Sequence, residues 1–285
     1  MSLDSMKEIF DRMEQEGKPF WEIVLEADME DRQVTRNQSM AKMLLTWQAM
    51  EDAADNYTGR RRSVSGLVGG DGMKMRQYCF RGEAMSGGYV SEVIAEALSM
   101  AESNACMCRI VAAPTAGACG VMPAVLLPLC KYEELSQHQI LEALYVASGI
   151  GAVIAYRACI AGASGGCQAE IGTACSMAAA ALAELYHQDL DQVEYAAEVA
   201  MEHHLGLTCD PICGLVQIPC IERNAVAAVR AMNACNLSYF LTGSRNISYD
   251  MVCRAMRETG VNLDHRFRET SEGGLAKLYN RRRKQ

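Results

Sequence analysis

Two short stretches combine cysteine, glycine and proline in a way that could ligate metal. The first runs Gly162-Ala163-Ser164-Gly165-Gly166-Cys167-Gln168-Ala169-Glu170. The second runs Thr208-Cys209-Asp210-Pro211-Ile212-Cys213-Gly214-Leu215-Val216-Gln217-Ile218-Pro219-Cys220. Thiolates are soft ligands suited to zinc and to iron–sulfur clusters. Cys167 and Cys220 each fall at the N-terminal edge of an expected helix, where the helix dipole favours a thiolate. Cys209 falls in a proline-punctuated loop. Cys130, Cys159, Cys175, Cys235 and Cys253 lie within or beside apolar helical runs and read as small buried hydrophobes. Spacing alone leaves Cys106, Cys108 and Cys213 open. No Cys-x-x-Cys pair or Cys/His finger spacing points to structural zinc. His203 and His204 are adjacent, so on a helix at most one of them reaches a given site. The stretch 162–220 is therefore expected to hold a metal cluster and present it to a small substrate.

Two further glycine-rich loops could approach a ligand closely. One is Ser65-Gly66-Leu67-Val68-Gly69-Gly70-Asp71-Gly72. It has neither the Gly-x-Gly-x-x-Gly spacing nor a Walker lysine, so nucleotide binding is not indicated. The other is Pro114-Thr115-Ala116-Gly117-Ala118-Cys119-Gly120, ahead of an apolar run. Backbone N–H groups at a helix start can bind a carboxylate, and Thr115 could add a hydroxyl. For each loop the plain alternative is a turn between helices.

These loops need helices to position them, and the chain supplies helices almost throughout. Apolar residues recur at helical spacing along 1–56, beginning after Ser5-Met6-Lys7-Glu8, which resembles a capping box. Segment 55–65 reads as a connector. Helices are expected over 90–104, 137–160, 168–187 and 190–205, from 219 to about 236, and around 249–258. Gly149 and Gly151 suggest close helix–helix contact rather than a break. Only 110–113 offers a short strand, with extended loop as the alternative. The fold class is thus all-α: a single compact multi-helix domain over 1–285, with glycine-rich loops converging on the cysteine site. It has an N-terminal helical segment over 1–60 and a polar C-terminal tail over 266–285.

Composition narrows the partners. The 285 residues can bury a core without disulfides, and thirteen cysteines in a reducing compartment are expected to stay as thiols. A net charge of -8 argues against nucleic acid as the main partner. No run of about 18 uninterrupted apolar residues suggests a membrane span. Segment 1–10 is charged, so no secretory signal is expected and the location implied is cytoplasmic.

Four motifs together resemble the α subunit of iron–sulfur-dependent L-serine dehydratase (L-serine ammonia-lyase). They are Ser65-Gly66-Leu67-Val68-Gly69-Gly70-Asp71, Ala113-Pro114-Thr115-Ala116-Gly117-Ala118-Cys119-Gly120, Gly165-Gly166-Cys167-Gln168-Ala169-Glu170, and the run from Cys209-Asp210-Pro211 through Gly214-Leu215-Val216 to Pro219-Cys220. They occur in the family's order and span most of the chain. The resemblance implies Cys167, Cys209 and Cys220 as ligands of a [4Fe-4S] cluster, and Cys213 is not among them. Three thiolates leave one iron without a cysteine ligand, free to act as a Lewis acid.

The implied reaction removes water from L-serine and ends in pyruvate and ammonia, without pyridoxal phosphate. The substrate would be cradled by Ser65, Gly66, Asp71, Thr115, Ala116, Gly117, Ser164, Gly165, Gly166 and Gln168. Lys74, Glu170 and His203 are the candidate bases. A separate β subunit is implied as partner, and an oligomer is expected. Single-chain relatives bring a C-terminal cysteine to the cluster, whereas this chain ends Arg281-Arg282-Arg283-Lys284-Gln285 and is expected to lack that self-capping. The competing readings are β-elimination on threonine or cysteine, a redox or oxygen-sensing Fe–S protein, and a helical protein binding zinc or no metal.

Overall fold

The computed structural model describes residues 3–240 and 246–282. It contains helices α1 (Met6–Glu16), α2 (Phe20–Arg32), α3 (Arg36–Asp55), α4 (Asp71–Phe80), α5 (Gly87–Ala105), α6 (Val121–Tyr132), α7 (Gln137–Arg157), α8 (Gly162–Gly165), α9 (Thr173–Leu185), α10 (Leu190–Glu202), α11 (Cys220–Phe240), α12 (Tyr249–Asn262) and α13 (Gly274–Arg282). The all-α expectation holds: among the described residues the only β pairing is an isolated bridge between Cys209 and Arg268. Segment 110–113 is extended loop. Residues 283–285, on which the C-terminal expectation partly bears, lie outside the described residues.

Local chemistry starts these helices. Thr35, Ser136 and Asp189 each cap a helix and receive the returning glutamine side chain of a complete capping box. At α1 the box is split: Ser5 accepts from the Glu8 N–H, but the Glu8 carboxylate takes the Asp4 N–H.

The alanine-rich α9 forms the centre and packs on α6, α7, α10 and α11. Eleven of its residues, Thr173 through Ala183, are buried in sequence, which only small side chains allow on every face. Close approach recurs on α7. A Cβ on Gly149 would lie 2.6 Å from Val24 Cγ2 of α2, and one on Gly151 would lie 3.0 Å from Met177 Sδ of α9. The two glycines thus mark contacts, as the sequence suggested. By length and composition α7 could cross a membrane, although no uninterrupted apolar run flags it. Here it lies between α2 and α9, with Ile140, Val146, Ile150 and Ile154 in the core.

The polar segment 266–282 is fastened to the protein. Cys209 N–H donates to Phe267 C=O at 2.7 Å, and Glu269 N–H donates to Cys209 C=O at 2.7 Å. Ser271 Oγ donates to Pro211 C=O at 2.8 Å, and Leu275 N–H to Asp210 Oδ2 at 2.6 Å. This strap ends in α13, which packs on the turn Ile212–Gly214.

Candidate metal centre

Two loops and one helix start bring the cysteines together. Cys167 follows α8 and leads into a π-helical turn, Gln168–Gly172, which carries Glu170. Such turns widen a helix by one residue and recur at functional sites. The Gln168 N–H donates to Leu207 C=O at 3.2 Å, tying this turn to the second loop. That loop carries Cys209, and Cys220 opens α11. All three cysteines are buried, at 2%, 2% and 7% exposure. Ligand atoms of Cys167, Glu170 and Cys209 lie within 4.8 Å of one another. Cys220 is outside this tight triad, but the charge of Cys167 still acts on it.

The electrostatics favour one thiolate. The neighbouring Cys209 thiol holds the proton affinity of Cys167 below the ordinary value; burial opposes this, while Arg223 adds to it. The closeness of Cys167, and then burial, pushes Cys209 up. Burial, then the Cys167 charge, pushes Cys220 up to about 12. Arg223 donates to Thr208 C=O at 2.7 Å and to buried Asp210 at 3.2 Å. Asp210 therefore joins the guanidinium at the thiols to the first turn of α13 through its second oxygen.

Space for a bound group comes from glycine. A Cβ on Gly162 would lie 2.8 Å from Glu170 Oε2 and 3.2 Å from Cys209 Sγ. A Cβ on Gly117 would lie 3.5 Å from both Glu170 oxygens. Burial raises the proton affinity of the Glu170 carboxyl. The Thr115 hydroxyl lies beside this carboxyl and moderates the shift, yet its buried Oγ1 makes no well-formed hydrogen bond. Buried thiols, one carboxylate and an unpartnered hydroxyl fit an iron–sulfur cluster or another thiophilic metal with a polar ligand.

The other residues singled out from sequence fall in varied places. Ser65 donates to buried Gln217 at 2.6 Å, so its loop docks on the cysteine loop, and Gly66 is exposed beside it. The N–H groups of Gly70, Asp71 and Gly72 do bind a carboxylate, but it is the protein's own Glu102. Asp71 and Lys74 pair at 2.6 Å on the exposed face of α4. The Ala116 carbonyl accepts from Asn104, and that of Gly117 from Asn224. Ser164 is exposed, whereas Gly165 and Gly166 are buried. Both ends of the Gln168 amide are taken, by Met256 C=O and Gly206 N–H. Exposed His203 bonds Val199 C=O; its buried neighbour His204 bonds Ala200 C=O.

Arg223, Asp210 and Glu269 were not singled out. Arg223 had one signal, since it stands one helical turn after Cys220. Of the cysteines left open, Cys213 is exposed, and Cys106 and Cys108 lie near Arg61 and Glu102. No disulfide joins any of the thirteen.

Helices that bury a thiol–carboxylate group of metal-ligand type under a strap define an all-α domain built around a candidate metal centre. The chain belongs to the serine dehydratase alpha chain family, whose profile matches residues 15–276. It is 51% identical over 181 residues to "L-serine dehydratase 2" of Escherichia coli, covering 63% of this chain and 40% of that protein. It is 43% identical over 240 residues to "L-serine dehydratase TdcG" of the same organism, covering 81% and 52%. It is 35% identical over 272 residues to the "Probable L-serine dehydratase, alpha chain" of Bacillus subtilis, covering 95% and 90%. The chain thus spans about half or less of the length of the two Escherichia coli relatives.

Proposed function

We propose that this chain is the cluster-bearing part of an L-serine ammonia-lyase and acts with a separate β portion. The observation that carries this is the buried Cys167–Glu170–Cys209 group beside Cys220, in a chain of the serine dehydratase alpha family. Cys167, Cys209 and Cys220 would hold a [4Fe-4S] cluster, which when bound supplies Lewis acidity at the iron that has no cysteine ligand.

This chain's own residues supply the rest. Gly117 and Gly162 let a small amino acid approach the Glu170 carboxylate closely. Burial makes Glu170 a stronger base than a solvated carboxylate, suited to taking the α-proton of serine. The Thr115 hydroxyl is available to the substrate carboxylate. Arg223 compensates negative charge at the thiols. Loss of water gives aminoacrylate, which tautomerises to the imine and hydrolyses to pyruvate and ammonia. The burial of the site beneath the strap limits competing solvent.

The experiment is anaerobic reconstitution of this chain with iron, sulfide and a β portion, followed by pyruvate and ammonia assays. L-serine should give both products in equal amounts, with threonine and cysteine as comparison substrates. A complex with intact cluster that releases no pyruvate from L-serine rejects the reading.

A further inference from the structure

We infer that Glu269 is a binding residue of this site and receives the α-ammonium group of the amino-acid substrate. The inference rests on the proposed serine chemistry and adds a contact to it. It begins with the backbone. Glu269 belongs to the strap, and its N–H is bonded to the carbonyl of Cys209, itself in the thiol–carboxylate triad. Its φ is 64°, in the left-handed region that a residue with a Cβ seldom adopts. Ser271 repeats this at φ 59°. Backbone of this kind persists only where the surroundings hold it. Here they do, through the paired bonds to Cys209, the Ser271 bond to Pro211 and the Asp210 bond to α13.

The side chain held this way is half-buried, on backbone bonded to that of Cys209. The Glu269 carboxylate lies within electrostatic reach of Cys209, Cys220 and Glu170. Among the described residues it has no hydrogen bond or ion pair of its own. The guanidinium nearest the thiols, Arg223, is committed to Asp210 and the Thr208 carbonyl. The site therefore gathers the Glu170, Glu269 and Asp210 carboxylates and three sulfurs, with the Arg223 guanidinium already bonded to Asp210. A half-buried carboxylate in that setting favours a cationic partner. An amino acid brings one in its ammonium group, bonded directly to the carbon whose proton is to be removed. Glu170 and Glu269 then divide the work: one takes the proton and the other holds the amine.

The test separates this from the serine reading. Iron-loaded complexes carrying wild-type chain, Glu269→Gln, Glu269→Gly or Glu269→Asp are titrated with L-serine and with 3-hydroxypropanoate, which lacks the amine. Binding is read as thermal shift, and iron and sulfide content are measured in parallel. The glycine variant guards against misfolding, because glycine adopts a positive φ without strain. The exposed Glu272→Gln, whose carboxylate pairs with His265, is the strap control. Wild type should prefer serine, and the Gln and Gly variants should lose that preference by about 10- to 100-fold with cluster content unchanged, as expected for a charge-assisted hydrogen bond. Glu269→Asp should recover part of it. Variants that keep the preference overturn the inference, even if wild type makes pyruvate. Loss of iron in Glu269→Gln also overturns it, by making the residue a support of the metal. If wild type neither prefers serine nor releases pyruvate, the serine reading falls and takes this inference with it.

Discussion

Glu170 stands at the meeting point of acid–base and ligand chemistry. Its carboxylate belongs to a triad with two thiols, yet it also faces Gly117 and Gly162, where a small substrate would fit. Replacement decides between the roles. Glu170→Gln in the reconstituted complex should retain iron and sulfide while the turnover number falls by about 10²- to 10⁴-fold, the usual contribution of a general base. Iron loss in that variant would instead make the residue a ligand and remove it as the base. At this scale the sequence exposed the cysteines and Glu170, because glycine and proline punctuate the loops that carry them. It hid Arg223, Asp210 and Glu269, because an arginine in a helix or a glutamate in a polar segment looks like ordinary surface. What sets them apart is a tie to a distant part of the chain, through the side chain for Arg223 and Asp210 and through the backbone for Glu269. For Asp210 that tie is to Leu275, across 65 positions.

Helix α10 shows how an element can carry a group at odds with its surroundings. Glu198 is buried, at 2% exposure, and its Oε1 has no hydrogen-bond partner. Burial, reinforced by Glu202 one turn later, raises its pKa from 4.5 to about 8. The folded chain therefore binds a proton that the unfolded chain releases, and this contribution to stability is lost as pH rises between those values. Thermal midpoints of Glu198→Gln and wild type, compared from pH 5 to pH 8, should converge at the acid end. The variant should be the more stable at the alkaline end. Parallel pH profiles would show that Glu198 does not titrate in this way. Helices were legible because their caps and apolar stripes are local. The π-helical turn at Gln168–Gly172 was not, since one extra residue per turn hardly changes an apolar pattern so rich in alanine. The strap was hidden for another reason. Its ties at Cys209, Pro211 and Asp210 all use backbone N–H or C=O groups, which composition does not reveal.

Across the whole molecule the site is drawn from four separated segments: 115–117, 162–170, 207–223 and 267–275. No single helix holds it, so a bound metal would link parts of the chain far apart in sequence. Binding to the folded state alone stabilises it, by about 2.7 kcal/mol at a ligand concentration one hundred times Kd. For a chain of this size that corresponds to a rise of roughly 5–10 °C in Tm. Anaerobic chelation should reverse the rise, as differential scanning calorimetry would measure. The strap should respond as well, because Asp210 joins Arg223 at the thiols to the N–H of Leu275. In hydrogen exchange the Leu275 amide should be better protected in the loaded protein than after chelation. In Asp210→Asn that difference should shrink, since an uncharged side chain holds Arg223 less firmly. If loading left both Tm and the Leu275 amide unchanged, these segments would be neighbours without being coupled. The domain would then hold its metal on a preformed shelf, with the strap as cover and no part in retention.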